Sequence, residues 1–302
     1  MMYLRSGKDD KPSVVWTRGK GCAELARLIG GSDSPRVTGD LADKCIENRA
    51  DLLVSRRLPG SFDLVNVAVP VDFNPDEVTK VTATVAGGPH SLLSAEVADR
   101  LAAALEVDGE MVFAVRPGED PGTGFELLDQ IGSRFSGLIR RIVEVDSVGD
   151  LVANLDEGAL LVLGAPGGSW VQRAMLGPGA RLRRTAQAGA VVVRSAPDRV
   201  FRFMEEPVYV GPLRQADDTL RLHNEQTLAV ADEGRLVGLV RREKLLAAGE
   251  APVASIMEEA VSVKLDETIS RARELEPTFG PDPIPVTDHE EYLVGALTLI
   301  GL

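Results

Sequence analysis

The segment Phe203-Met204-Glu205-Glu206-Pro207-Val208-Tyr209-Val210 returns as Ile256-Met257-Glu258-Glu259-Ala260-Val261-Ser262-Val263. Two later pairs keep the same order: Ala229-Val230-Ala231-Asp232 with Pro285-Val286-Thr287-Asp288, and Leu236-Val237-Gly238-Leu239 with Leu293-Val294-Gly295-Ala296. The offsets are 53, 56 and 57 residues, and matches in fixed order at nearly constant spacing mark a duplicated supersecondary unit. Each copy reads as an extended segment, a helix, a strand, a polar turn and a second strand. The strands are Thr227–Ala231 and Leu236–Val240 in one copy, Ile284–Thr287 and Tyr292–Leu297 in the other. Residues 198–302 are therefore expected to be an α+β module of two repeats, 198–250 and 251–302. The repetition of Glu205/Glu206 as Glu258/Glu259 points to a structural role for these pairs, not to acid–base chemistry.

Upstream, residues 79–197 alternate strand and helix patterns, the signature of βαβ units and a doubly wound parallel sheet. The strands are Val81–Val85, Met111–Val115, Arg141–Val145, Ala159–Leu163 and Ala190–Val193. Helices are expected over Leu92–Leu105, with Ser91 as its cap, Phe125–Ile139, Val148–Leu155 and Ala180–Gln187. Residues 1–78 form an N-terminal α/β extension with strands Ser13–Trp16, Ala50–Val54 and Leu64–Val71, and helices Cys22–Ile29 and Leu41–Asn48. This stretch either extends the same sheet or forms a degenerate half-domain.

Composition narrows the function. The 302 residues carry 33 Lys+Arg against 46 Asp+Glu, a net charge of -13, which argues against a general nucleic-acid or anionic-membrane binder. Seven of the 33 cations are Lys, and this acidic, Lys-poor balance fits a high-salt cytoplasm or a GC-rich genome. No apolar run has the ~18 residues of a spanning helix, and the polar start does not read as a signal peptide. Cys22 and Cys45 make no disulfide framework or metal-ligand spacing, so reduced thiols, no metal and a cytoplasmic protein are expected. His90, His223 and His289 are scattered, and Ser169 lacks a nucleophile elbow, so no catalytic constellation is expected.

The motif best suited to a ligand is Gly164-Ala165-Pro166-Gly167-Gly168, followed by Gly177-Pro178, between the strand Ala159–Leu163 and the next helix. Glycines there let a ligand approach backbone N–H groups, which favour phosphate oxygens. With the turn Ala86-Gly87-Gly88-Pro89-His90-Ser91 after the first strand, this block resembles a universal stress protein domain, a doubly wound sheet of the HUP class. Gly164, Gly167 and Gly177 match that family's Gly-x2-Gly-x9-Gly spacing. The resemblance implies ATP, ADP or AMP as ligand, held by Gly87, Gly88, Gly164, Gly167, Gly168 and Gly177. Two positions depart from the family: Ala86 replaces its adenine-holding Asp, and Pro178 replaces a phosphate-binding Ser/Thr and lacks an N–H. The same turn compares less well with the Ser-Gly-Gly-x-Asp-Ser loop of ATP pyrophosphatases, since the first Ser and the Asp are absent.

The duplicated module resembles a tandem pair of cystathionine β-synthase (CBS) domains, a Bateman module, on its Met-Glu-Glu starts and Leu-Val-Gly hairpins. That resemblance implies adenosyl ligands in clefts between the repeats. The family's ribose-binding Thr/Ser and Asp are Arg241 and Lys244 in the first repeat, Thr298 and Gly301 in the second. Arg241, Lys244 and Thr298 are the candidate contacts. Both families dimerise as a rule, so the resemblances together imply a homodimeric, non-enzymatic stress-related regulator sensing an adenine nucleotide. The alternatives are a ligand-independent scaffold or regulatory subunit of a transporter, channel or enzyme, and an ATP pyrophosphatase-like enzyme.

Overall fold

The computed structural model describes Leu4, residues 12–58, Gly60, residues 62–165 and residues 188–302. The chain divides into two compact units, Met1–Ala196 and Pro197–Leu302.

The first unit is built on one eight-stranded sheet. Its elements are β1 (Val14–Trp16), α1 (Cys22–Gly30), α2 (Leu41–Glu47), β2 (Leu52–Val54), β3 (Asn66–Val71), β4 (Lys80–Thr84), α3 (Pro89–Leu105), β5 (Asp108–Val115), α4 (Gly122–Gly132), β6 (Leu138–Glu144), α5 (Val148–Ala153), β7 (Ala159–Gly164) and β8 (Ala190–Arg194). The strand order is β1-β2-β3-β8-β7-β4-β5-β6. Strands β4 to β8 are all parallel to their neighbours among themselves and, numbered one to five, stand in the order 3-2-1-4-5. The direction of winding thus reverses between β4 and β7, where doubly wound sheets open a crevice at the carboxyl ends of the strands. Every residue of β7 is buried, as a strand covered on both faces requires.

Residues 14–71 join this same sheet. Strand β3 runs antiparallel to β8, from Val67 opposite Arg194 to Val71 opposite Ala190, and β2 and β1 continue outward in parallel. An approximate two-fold through the β3–β8 seam relates β1-β2-β3 to β4-β7-β8. In both halves a helix follows the first strand, and glycine with positive φ precedes it: Gly21 before α1 (φ 74) and Gly88 before α3 (φ 81). Helix α3 buries Leu93, Val97 and Leu101, four residues apart, against the sheet.

The helix expected over Phe125–Ile139 is shorter. It ends at Gly132, and Leu138 and Ile139 belong to β6. The apolar spacing Leu128, Ile131, Phe135, Leu138 continues a helical stripe, but pairing of Leu138 with Gly109 of β5 claims the second half of it. Turn bonds from Arg134 N–H to Ile131 O and from Leu138 N–H to Phe135 O carry the chain between the two elements.

The second unit contains β9 (Tyr209–Val210), α6 (Ala216–Leu222), β10 (Thr227–Asp232), β11 (Arg235–Arg241), α7 (Arg242–Ala248), β12 (Val263–Lys264), α8 (Ile269–Arg273), α9 (Glu276–Phe279), β13 (Ile284–Thr287) and β14 (Leu293–Leu297). The sequence repeat is repeated in the topology. In each sheet a short strand runs parallel to the middle strand, which pairs antiparallel with the third. The register shifts at the same place in both, between Val230/Ala231 and between Val286/Thr287.

The repeats clasp each other. Glu258, from the start of the second repeat, exchanges backbone hydrogen bonds with Leu239 on β11 of the first, at 3.1 and 2.7 Å. Glu205, from the start of the first, does the same with Ala296 on β14 of the second, at 2.8 and 3.2 Å. Glycine is required where the segments cross. A Cβ on Gly238 would stand 2.7 Å from Glu258 O, and one on Gly295 2.9 Å from Glu205 O. Met257 accordingly packs with the core of the first repeat, and Met204 with that of the second.

Candidate functional site

In the first unit the loops at the carboxyl ends of β4, β5 and β8 gather most of the described features relevant to a ligand. The β4–α3 turn is exposed from Ala86 to Pro89, with Gly87 at φ 83 and Gly88 at φ 81, and among the described residues nothing lies within 4 Å of a Cβ placed on either. Ser91 holds the turn: its Oγ accepts from the Ala86 N–H at 3.0 Å and donates to Gly87 O at 2.9 Å. His90 ties the turn to the end of β8. The Ser195 N–H donates to His90 Nδ1 at 3.1 Å, and Ser195 Oγ lies 2.8 Å from the same atom. A backbone N–H can only donate, so Nδ1 is bare and the ring proton is on Nε2. Burial, with the Arg194 charge as a smaller cause, pushes the His90 pKa down and keeps the ring neutral.

Beside this turn lies a cavity of about 390 Å3, within the ~300–1,000 Å3 span of small-molecule sites. Its walls come from Thr84, Val85 and Ala86 at the end of β4 and from Val112 to Val115 on β5. Its rim is Glu119, Asp120 and Thr123, from the loop entering α4. Thr84 is 6% exposed, and its hydroxyl has no hydrogen-bond partner among the described residues. A second hollow of about 340 Å3 lies between the start of α3 and α4, lined by Gly88, Pro89, Leu92, Leu127, Gln130, Ile131 and Arg134.

Of the candidate phosphate-binding glycines, Gly87 and Gly88 therefore stand in the exposed turn. Gly164 is the buried last residue of β7, paired with Val193 of β8. Gly167, Gly168 and Gly177, with Pro178, lie outside the described residues. Thr84, Glu119 and Asp120 were not among the expected site residues. The acidic Glu119-Asp120 pair between Gly118 and Pro121 is a visible signal, but nothing in the sequence connects it to Thr84. The buried carboxylate of Glu110 belongs to the opposite end of the sheet, where it accepts from Thr82 Oγ1 at 2.9 Å and meets Lys80 Nζ at 3.1 Å.

In the second unit, Arg241 and Lys244 turn toward a partner within their own unit. Glu258 receives Lys244 Nζ at 2.9 Å and Arg241 Nε at 3.2 Å. The bond from Lys244, followed by that from Arg241, holds the Glu258 carboxyl below the usual carboxylate range. At the matching positions of the second repeat stand Thr298, half-buried just past β14, and Gly301, at φ 91. Among the described residues no group of three or more His, Cys, Asp or Glu could hold a metal ion, and no helix is long and apolar enough to cross a membrane. Cys22 and Cys45 are free and buried, and desolvation pushes the Cys45 thiol up to about 12.

No family model matches the sequence, and no curated protein matches it. Solved structures similar to about a third of the chain are CBS-domain pair proteins. CBSX2 from Arabidopsis thaliana is 24% identical over 34% of this chain and 89% of its own, at a TM-score of 0.31. A second structure of CBSX2, in complex with AMP, is 26% identical over 34% of this chain and 90% of its own, also at 0.31. The soluble part of a magnesium transporter is 18% identical over 34% of this chain, again at 0.31, and the chain spans 44% of that protein's length.

Proposed function

We propose that the protein is a regulator that senses an adenine nucleotide or a related adenosyl ligand. In this reading the first unit is a universal-stress-protein-like domain and the second a CBS pair. The observation that carries it is the cavity at the carboxyl ends of β4 and β5, next to the glycine turn that opens α3. It has the apolar walls a base requires. The 3-2-1-4-5 strand order supports the first half of the reading, and the duplicated, mutually clasped repeats support the second. No catalytic role is proposed: among the described residues lining the cavity the carboxylates of Glu119 and Asp120 have no nucleophile–base pair beside them. Its output is a shift in population between conformations that differ in affinity for the ligand. A cytoplasmic homodimer is the form proposed.

Calorimetric titration of the full chain with ATP, ADP, AMP and S-adenosylmethionine tests this reading. Binding by one of them is expected. Its loss in Gly88→Val or in Thr298→Ala would say which unit holds the site. A second reading, a scaffold or regulatory subunit of a transporter, channel or enzyme, is favoured by one observation: Arg241 and Lys244 are engaged with Glu258. Absence of heat and of thermal stabilisation with all four ligands would select that second reading.

A further inference from the structure

The chain leaves the first unit through Ser195 and Ala196, just past the last residue of β8. The backbone N–H groups of both residues donate to side chains. The Ala196 N–H donates to Asn66 Oδ1 at 2.9 Å, and the Ser195 N–H donates to His90 Nδ1 at 3.1 Å. Asn66 opens β3, and its own Nδ2 donates to Asp51 O at 2.9 Å. His90 is the second residue of α3, and its carbonyl accepts from Ser94 Oγ at 2.8 Å. A side-chain amide keeps its acceptor at every pH the fold survives, whereas an imidazole gives up its acceptor when it takes a proton. The two clasps on the departing chain therefore differ in kind: one is permanent, and the other depends on the charge of a ring.

We infer that His90 is a pH-sensitive latch whose protonation unfastens the Ser195 backbone from the glycine turn, while Ala196 stays pinned to Asn66. In the neutral ring Nε2 carries the proton, so an added proton has Nδ1 as its seat and turns it into a donor. Ser195 Oγ, 2.8 Å away, can rotate its hydrogen aside and accept from that donor. The backbone N–H has no such freedom and loses its partner. The charges around the ring favour the closed form. Arg194, the residue before Ser195, is a cation bonded to Gly60 O and Phe62 O. Arg134, just past α4, lines the hollow beside Gly88 and Pro89. The turn Ala86–Pro89, Ser91, Ser94, Ala165 and Asn66 carry no charge. The first carboxylate along α3 is Glu96, six residues beyond His90, and it accepts from the Leu4 N–H. Burial, followed by the Arg194 charge, holds the folded pKa of His90 below its ordinary value of 6.5. The latch is thus fully closed above that value and opens as pH falls through the lower, folded one.

Two measurements on the full chain test this, from neutral pH down to the onset of acid unfolding. NMR of the His90 ring follows its charge and tautomer, and hydrogen exchange gives the protection factors of the Ser195 and Val192 amides. Val192, inside β8 between β3 and β7, is the control for general loosening. The Nε2–H tautomer is expected at neutral pH. Protection of Ser195, taken relative to Val192, should fall about tenfold in step with the charge on His90, as the loss of one hydrogen bond requires. His90→Asn places an acceptor oxygen near the Nδ1 position without a titrating ring, and should keep Ser195 protected across the whole range. His90→Ala should leave Ser195 open at every pH. A ring that charges while the ratio of Ser195 to Val192 protection stays constant would overturn the inference. A ring that stays neutral until the chain unfolds would do the same. So would an equal fall in His90→Asn, because the loss would then come from some other group.

Discussion

The two repeats of the second unit share a backbone plan but differ in their charge at equivalent positions. In both, a Met-Glu segment crosses the glycine of the other repeat's hairpin, Met257-Glu258 over Gly238 and Met204-Glu205 over Gly295. Around the first crossing Arg241 and Lys244 close on Glu258. At the second, the same positions are Thr298 and Gly301, and Glu205 is exposed. Duplication has conserved the steric requirement of the clasp and released the side chains around it. The steric part follows from backbone approach and tolerates no substitute, whereas a partly exposed ion pair contributes little to stability and can change.

The largest expected effect tests the shared part. Valine at Gly238 or Gly295 would drive a Cβ to within 2.7 or 2.9 Å of a backbone oxygen. Each substitution should cost about 3 kcal/mol by overpacking. Urea unfolding of the two variants should give similar losses, and a neutral result at one glycine would end the equivalence. Next come Met257→Ala and Met204→Ala, each expected to cost about 2 kcal/mol, at the low end for Met because both side chains are partly exposed. Thermal melts would show a single clasp of real weight if just one of the pair responded.

The smallest effect probes the difference. Glu258→Gln should cost about 0.5 kcal/mol and Glu205→Gln nothing measurable, because Glu258 is 34% exposed and solvent screens its pairs. The pH dependence has a defined sign. The folded pKa of Glu258 is depressed, so its contribution is complete above the unfolded value near ~4.3 and disappears as pH falls through the lower folded value. The gap between wild type and Glu258→Gln should therefore be present at neutral pH and absent in strong acid. Molar KCl should erase it at neutral pH too. A gap that survives in strong acid or in molar KCl would mean that Glu258 acts through packing instead of charge.

Much of this architecture is legible in the sequence because identity and periodicity are local. The duplication shows in residues 203–210 and 256–263, and the doubly wound alternation in the strand–helix rhythm after residue 79. The partner of each repeated segment is not legible. Two nearly identical starts and two nearly identical hairpins admit either pairing, and the observed one crosses between repeats. The break after Gly132 was hidden because the apolar spacing of α4 runs unchanged into β6. The cavity was hidden for a different reason: Thr84 and the Glu119-Asp120 loop line one cavity only because β4 and β5 are neighbours in the sheet.

The reciprocal clasp also sets a timetable. Glu205 and its partner Ala296 are 91 residues apart, so at a synthesis rate of about 5–20 residues per second Glu205 is synthesised roughly 5–18 s before that partner. During that interval the Met204 segment has no hairpin to cover. The second unit should consequently mature late and in a single step, with Leu293–Leu297 as the element that commits it.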